Sequence, residues 1–467
     1  MKIALISSEV YPFSKTGGLA DVVGALPLAL KKLGAEVTVI SPLYRSVRKH
    51  SLEQVPNLIS VPLAGATAWG AMRRKGIFHF LEHDGFYDRP ELYGEGDREY
   101  GDNAARFVFL MRGALEFLAQ QKTPPDVIHV HDWQAGLVPL YVNTLYRGAF
   151  PKTRTVATIH NLAYQGRFWK GFLPVTGFGW DQFTLHSLEF HDGINFLKGA
   201  LAHADALTTV SPTYARELQA ADHGWGLDPL LRDRSNKLTG ILNGVDYDEW
   251  SPDRDPHLAA RYSAADLKGK AVCKAALQKR CGLPVRPDAP LFAWVGRLVE
   301  QKGVDLLLHA AEALSSEDAQ FIVLGSGEAR YQNGLGWFAH RYREKFSVQF
   351  SFDHAFSHQI IAGADALLMP SRYEPCGLTQ MYALRYGTVP VVRSTGGLVD
   401  TVDPGVTGVR FDHFNGEGFL WAVRQAIRSY REGGPWVRMQ RAGMAKDFSW
   451  NASAREYLRL FQSLMAR

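Results

Sequence analysis

Short apolar runs alternating with helix-period stretches constrain this chain more than any other feature. Ile3–Ser7 is a strand candidate, and Gly18–Leu33 then repeats apolar residues at helical spacing through Leu19, Val22, Val23, Leu26 and Leu30. Glu36–Ser41 is the next strand, followed by Val127–Val130, Thr155–Ile159 and Ala206–Val210, all short and rich in β-branched residues. Strands separated by helices predict a parallel sheet covered on both faces. The pattern then starts again, with strand Leu291–Val295, helix Val304–Leu314, and strands Gln320–Leu324, Ala366–Met369 and Thr388–Val392.

The 467 residues are too many for one ordinary core and suit two domains of roughly 200 residues each. The chain therefore reads as an α/β protein with two doubly wound, Rossmann-like parallel-sheet domains facing a cleft. Residues 1–245 form the first domain and 246–445 the second, and the tail 446–467 carries an amphipathic helix, Trp450–Met465, that packs back on the first. Asp246–Asp288, rich in Asp, Pro and charge, reads as a linker with helix near Lys268–Arg280.

Composition excludes several classes. The formal net charge of +5, from 52 basic and 47 acidic residues, is too even for a nucleic-acid binder. Cys273, Cys281 and Cys376 give neither a disulfide framework nor a zinc pattern. The apolar stretch after Met1 is too short for a signal peptide, with Glu9 and Pro12 where it would continue. No apolar run approaches a bilayer span. The expectation is a cytoplasmic protein with no membrane partner; nothing in the sequence sets an oligomeric state.

In doubly wound sheets ligands bind beyond the carboxyl ends of the strands, and the chemically suggestive residues fall there. Lys15-Thr16-Gly17-Gly18-Leu19-Ala20-Asp21 follows the first strand and opens a helix. Paired glycines, a helix N-terminus and a lysine make a phosphate cradle, although the Walker spacing is absent; the plainer reading is a turn with a solvated lysine. Arg297 and Lys302 occupy the matching place in the second half, where a planar fork and a point charge can meet one pyrophosphate. In Ser371–Thr379, Glu374 is placed to bind sugar hydroxyls and balance positive charge, or to serve as an ordinary helix N-terminal charge. Thr158-Ile159-His160-Asn161 offers two hydrogen-bonding side chains, and Arg393–Leu398 carries another glycine pair. His129 and His131 share a strand face, but no third ligand is evident, so no metal is expected there. Asp246-Tyr247-Asp248 matches the D-x-D of some metal-using transferases and reads as turn chemistry after Asn243-Gly244.

Taken together and in order, these segments resemble the bacterial glycogen synthases and plant starch synthases. The resemblance runs from Lys15-Thr16-Gly17-Gly18 through His131-Asp132-Trp133-Gln134-Ala135-Gly136, Thr158–Gly166 and Val210–Ala215 to Glu374-Pro375-Cys376-Gly377-Leu378-Thr379-Gln380 and Thr395-Gly396-Gly397-Leu398. It implies the two-domain glycosyltransferase-B fold and transfer of glucose from ADP-glucose to an α-1,4-glucan with retention of configuration. It also implies the roles. Lys15 and Gly17–Gly18 meet phosphate from the first domain; Arg297 and Lys302 neutralise the diphosphate leaving group, so neither metal nor other cofactor is expected. His160 lies beside the transferred glucose. Glu374 and the backbone of Cys376, Gly377, Leu378 and Thr379 hold it, Thr395, Gly396 and Gly397 complete the cradle, and Asp21, Asp132 and Asn161 line the cleft. Phe352 stacks on the base.

Two departures accompany the resemblance. Tyr382 stands where related transferases often have a second glutamate, and Phe352-Asp353-His354 stands where the family has Tyr-x-Glu. Rival readings are a UDP-sugar or sucrose synthase-like transferase of the same fold, a non-catalytic glucan-binding protein, and a nicotinamide dehydrogenase. The last lacks its G-x-G-x-x-G fingerprint, and fold alone separates none of them.

Overall fold

The computed structural model describes every residue except Asp97, Phe352 and Arg467. The expected base-stacking residue, Phe352, thus lies outside the described residues. The chain divides into two compact units. One comprises Met1–Val210, Ala215–Gly244 and Trp450–Arg467; the other comprises Ser211–Tyr214 and Val245–Ser449.

The main sheet of the first unit has nine strands: β1 (Lys2–Ile6), β2 (Glu36–Pro42), β3 (Glu53–Leu63), β4 (Ala66–Lys75), β5 (Phe78–Glu82), β6 (Val127–His131), β7 (Arg154–Ile159), β8 (Ala206–Thr209) and β9 (Leu238–Gly240). They lie in the order β9-β8-β7-β6-β1-β2-β5-β4-β3. Pairing is parallel from β9 through β5. It is antiparallel at β5/β4 and β4/β3. The expected all-parallel sheet is corrected at this edge. On β3 only Ile59 and Val61 are buried, so these strands present no apolar run to mark them. Helix α1 (Gly18–Lys32) buries Leu19, Val22, Val23, Leu26 and Leu30, each worth about 1.5–3 kcal/mol when fully removed from water. The C-terminal helix Trp450–Met465 packs against α1, and its Tyr457 and Phe461 rings lie 5.4 and 5.5 Å from the His129 ring.

The second unit has a six-stranded, all-parallel sheet: β10 (Leu291–Val295), β11 (Gln320–Leu324), β12 (Phe346–Gln349), β13 (Ala366–Met369), β14 (Val389–Arg393) and β15 (Val409–Phe411), in the order β12-β11-β10-β13-β14-β15. This is the strand order of a doubly wound dinucleotide-binding sheet, with its crossover reversal between β10 and β13. Its strands are apolar on both faces and split their residues by alternation. Phe292 and Trp294 join Val304 and Leu307 of α3 (Val304–Ser316) on one side. Leu291 and Ala293 join Leu277 of α2 (Lys268–Arg280) and Phe356 and Ile360 of α4 (His354–Gly363) on the other.

The stretch read as a linker is part of this unit. Lys274 on α2 pairs with Asp365 at 2.7 Å, both almost fully buried. Lys270 donates to the Ala362 carbonyl and Thr388 Oγ1 at 2.9 and 2.6 Å. Polar side chains fix the segment, so its composition imitates a solvated connection. No helix among the described residues is long and apolar enough to cross a membrane.

Candidate functional site

In the second unit the functional loops gather at the strand-order reversal. Arg297 and Lys302 follow β10; Ser371–Glu374 follow β13. Gly303, at φ +69°, approaches β13 so closely that a Cβ would lie 1.9 Å from the Pro370 carbonyl oxygen. Arg372 N–H donates to the Gln301 carbonyl at 2.8 Å, tying the loops together. Lys302 Nζ thereby meets Glu374 Oε2 at 2.6 Å, and Ser371 Oγ donates to the same oxygen at 3.0 Å. The Glu374 side chain is 5% exposed and that of Lys302 22%. A charge buried to this extent needs such partners, and removing one leaves the other uncompensated. Arg297 is exposed, with no carboxylate in ion-pair range among the described residues.

The glycine pair after β14 closes on the same backbone. Gly396, at φ +45°, would place a Cβ 1.9 Å from the Glu374 carbonyl oxygen, and the Gly397 N–H donates to that oxygen at 3.1 Å. Gly377, also left-handed, leads through Leu378 into α5 (Thr379–Arg385). Gln380 Nε2 donates to the Cys376 and Gly377 carbonyls at 2.9 and 3.0 Å and holds that turn. Lys302, Glu374, Cys376, Gly377, Gly396 and Gly397 are thus held together, whereas Arg297 shares only the loop after β10 with Lys302. Ser211 Oγ donates to the Pro375 carbonyl at 2.7 Å, and Thr213 binds Asp400 through backbone and side chain at 2.7 and 2.6 Å.

In the first unit the sheet reverses between β1 and β6, and the expected residues cluster there. Lys15 Nζ pairs with Asp21 Oδ1 at 2.6 Å. The Gly17–Gly18 loop is held by a residue that sequence reading missed. Glu9 accepts from Thr16 N–H and Thr16 Oγ1, both at 2.6 Å, from Gly17 N–H at 3.3 Å, and from Tyr93 OH at 2.6 Å. Tyr93 is 84 residues away along the chain, and no local pattern marks the pair.

Beyond β6, Asp132 adopts φ +56°, ψ −170°, a conformation costing a non-glycine residue about 1–3 kcal/mol and concentrated at functional sites. Its carboxylate accepts from the His160 N–H at 2.7 Å and from the Asn161 N–H. Burial pushes the Asp132 carboxyl up, against these two donors. The Asn161 side chain caps the following turn through Ala163 N–H at 3.1 Å. His160 Nε2 and His131 Nδ1 are hydrogen-bonded at 2.9 Å, and His129 Nε2 meets Thr158 Oγ1 at 2.6 Å. Burial pushes His129 and His160 down to about 3 and His131 well below its ordinary value. The three imidazoles are neutral at neutral pH, so His160 offers a dipole and not a charge.

Family models match along the chain: the starch synthase catalytic domain over residues 2–233, and glycosyl transferases group 1 over residues 278–439. Glycogen synthases of Anaeromyxobacter sp. (strain Fw109-5) and Myxococcus xanthus (strain DK1622) are each 48% identical, with all of both chains covered. The chain belongs to the glycogen synthase family. It is a glycosyltransferase of the GT-B fold. The catalytic domain of starch synthase IV from Arabidopsis thaliana, bound to ADP and acarbose, superposes with a TM-score of 0.92 at 34% identity, covering 100% of this chain and 99% of that one. Sucrose-phosphate synthase from Thermosynechococcus elongatus, at 19% identity and a TM-score of 0.61, shares the fold.

Within this glycogen synthase family member the two sequence departures have structural counterparts. Tyr382 stacks on Trp250 with ring centroids 3.9 Å apart and planes 1° from parallel. His354 Nε2 lies 2.9 Å from Glu249 Oε1. Asp246-Tyr247-Asp248 is turn chemistry, since Asp246 Oδ1 accepts from the Asp248 N–H at 2.9 Å.

Proposed function

We propose that the chain transfers glucose from ADP-glucose to the non-reducing end of an α-1,4-glucan with retention of configuration. The observation that carries this reading is the assembly around Lys302 and Glu374, a cation and a carboxylate held together at the strand-order reversal. The match to a starch synthase bound to ADP supports an adenosine diphosphate donor.

In the second unit, Arg297 and Lys302 receive the diphosphate. Lys302 already sits beside Glu374, so its charge is oriented before the donor arrives and costs little reorganisation during reaction. Glu374, with Ser371 holding one carboxylate oxygen, accepts from glucose hydroxyls. The backbone of Cys376–Thr379 and Thr395–Gly397 completes the cradle. The bond from the anomeric carbon to the diphosphate oxygen breaks, the acceptor 4-hydroxyl oxygen bonds to the same face, and the departing phosphate takes the hydroxyl proton. No metal or other cofactor enters this mechanism.

In the first unit, Lys15 and the Gly17–Gly18 backbone supply a phosphate contact, with Asp21 orienting Lys15. Asp132 holds the Asn161 N–H, and a trans peptide points its carbonyl opposite to its N–H; the His160 carbonyl direction is therefore set by Asp132. Trp169 and Trp180, 70% and 60% exposed, offer flat apolar faces of the kind a glucan rests on.

The test is turnover of Lys302→Ala and Glu374→Gln on glycogen, with folding followed by circular dichroism. Each is expected to lose about 10²–10³ in kcat, the scale of removing one transition-state electrostatic partner, while remaining folded. Near-normal kcat in either variant overturns its role.

A further inference from the structure

A cluster of metal-ligating groups in the second unit is built from residues other than those of the Lys302–Glu374 assembly. Glu249, His354 and His358 each offer one ligand atom, and the three atoms lie within 4.8 Å of one another. His354 and His358 are four residues apart on α4 and share one helix face, the spacing by which a helix presents two imidazoles to a single ion. Glu249 adds the carboxylate, with Oε1 2.9 Å from His354 Nε2.

A second, independent observation points to a ligand. The His358 side chain is 1% exposed, and its Nε2 has no hydrogen-bond partner among the described residues. Such an orphan costs about 1–3 kcal/mol, and every feature around it fixes its direction. His358 Nδ1 lies 2.7 Å from Asp255 Oδ2. Asp255 also accepts from Tyr386 OH at 2.6 Å and the His257 N–H at 2.9 Å. Asp255 thus occupies the Nδ1 side of the ring, and Nε2 is the nitrogen left open to a ligand. Trp250 stacks on the His358 ring at 3.7 Å and 15°, locking its plane. A buried carboxylate holding the far nitrogen of a histidine is the outer-shell arrangement that orients metal-binding imidazoles.

We propose that Glu249, His354 and His358 bind one divalent transition-metal ion of the zinc class, with Asp255 as the outer-shell partner of His358. Two imidazoles and one carboxylate form a ligand set for zinc that leaves a position for water. Tetrahedral zinc sets its ligand atoms about 3.3 Å apart. The Glu249 and His354 side chains, 31% and 43% exposed, can turn to meet that spacing while His358 stays fixed. A bound ion would clamp the first turn of α4 to the segment carrying Glu249.

The experiment is calorimetric titration of the chelator-treated full chain with zinc chloride, repeated with cobalt chloride by visible absorption. One zinc equivalent is expected to bind at micromolar concentration or tighter, with intense tetrahedral cobalt bands and a raised melting temperature. His354→Ala and Glu249→Gln, both at partly exposed positions, are each expected to weaken binding at least about 10-fold, on the scale of lost metal-site partners, and to abolish the bands. Absence of binding at about 100 µM zinc, or an unchanged isotherm in the His354→Ala/Glu249→Gln double variant, overturns the assignment. The latter would place the ion on other histidines of the chain.

Discussion

Residue-scale charge in this protein is set by burial and by partners distant in sequence. Lys270 is the clearest case. Burial pushes its amine down to about 7, with the Asp365 charge opposing. In the unfolded chain a lysine titrates near 10.4. Between these values the unfolded state binds more protons, so stability rises as pH climbs from about 7 to about 10, at up to about 1.4 kcal/mol per pH unit. Lys270→Met is expected to lose this dependence. The urea midpoint of the parent should rise relative to the variant between about pH 7.5 and pH 9.5; parallel midpoints would show that the amine keeps its proton. The same positions explain what the sequence hides. Arg297, Lys302 and Glu374 stand at strand ends and are legible as a set, because the strands are local patterns. Glu9 and Asp255 are not legible, because their roles come from Tyr93, His358 and Tyr386, each at least 84 residues away.

At the scale of elements, glycines decide how closely the loops approach. Gly396 has a left-handed backbone and would drive a Cβ into the Glu374 carbonyl, whereas Gly405, also left-handed, has nothing within 4 Å of its Cβ position. Both alanine variants carry backbone strain of about 1–2 kcal/mol, but only Gly396→Ala also displaces Glu374. Gly405→Ala is expected to lower the melting temperature and keep kcat; Gly396→Ala is expected to lose most of kcat. Equal kcat in the two would separate the Gly396 contact from the chemistry. Of the elements that escaped sequence reading, β3, β4 and β5 carry a mixed, half-exposed pattern at one side of the sheet. Helix α2 is legible at Lys268–Arg280, but its place in the second unit's core is not, because it buries lysines and glutamine in place of an apolar stripe. Hydrophobic periodicity is silent where polar groups are buried by pairing. The helices and parallel strands it did mark, such as α1, β10, β11 and β13, are those whose stability rests on apolar faces.

At the scale of the molecule, each unit places its chemistry where its strand order reverses, at β1/β6 in the first and β10/β13 in the second. Doubly wound topology makes this the natural ligand position and says nothing about the donor. Donor identity rests on the family and on the residues of the second unit, and it is the central claim. The most direct measurement is glucose incorporation into glycogen by the full chain, with ADP-glucose and UDP-glucose supplied in parallel, without added metal and with chelator present. Turnover from ADP-glucose well above that from UDP-glucose is the expected result. Preference for UDP-glucose, or transfer from neither, would contradict the account.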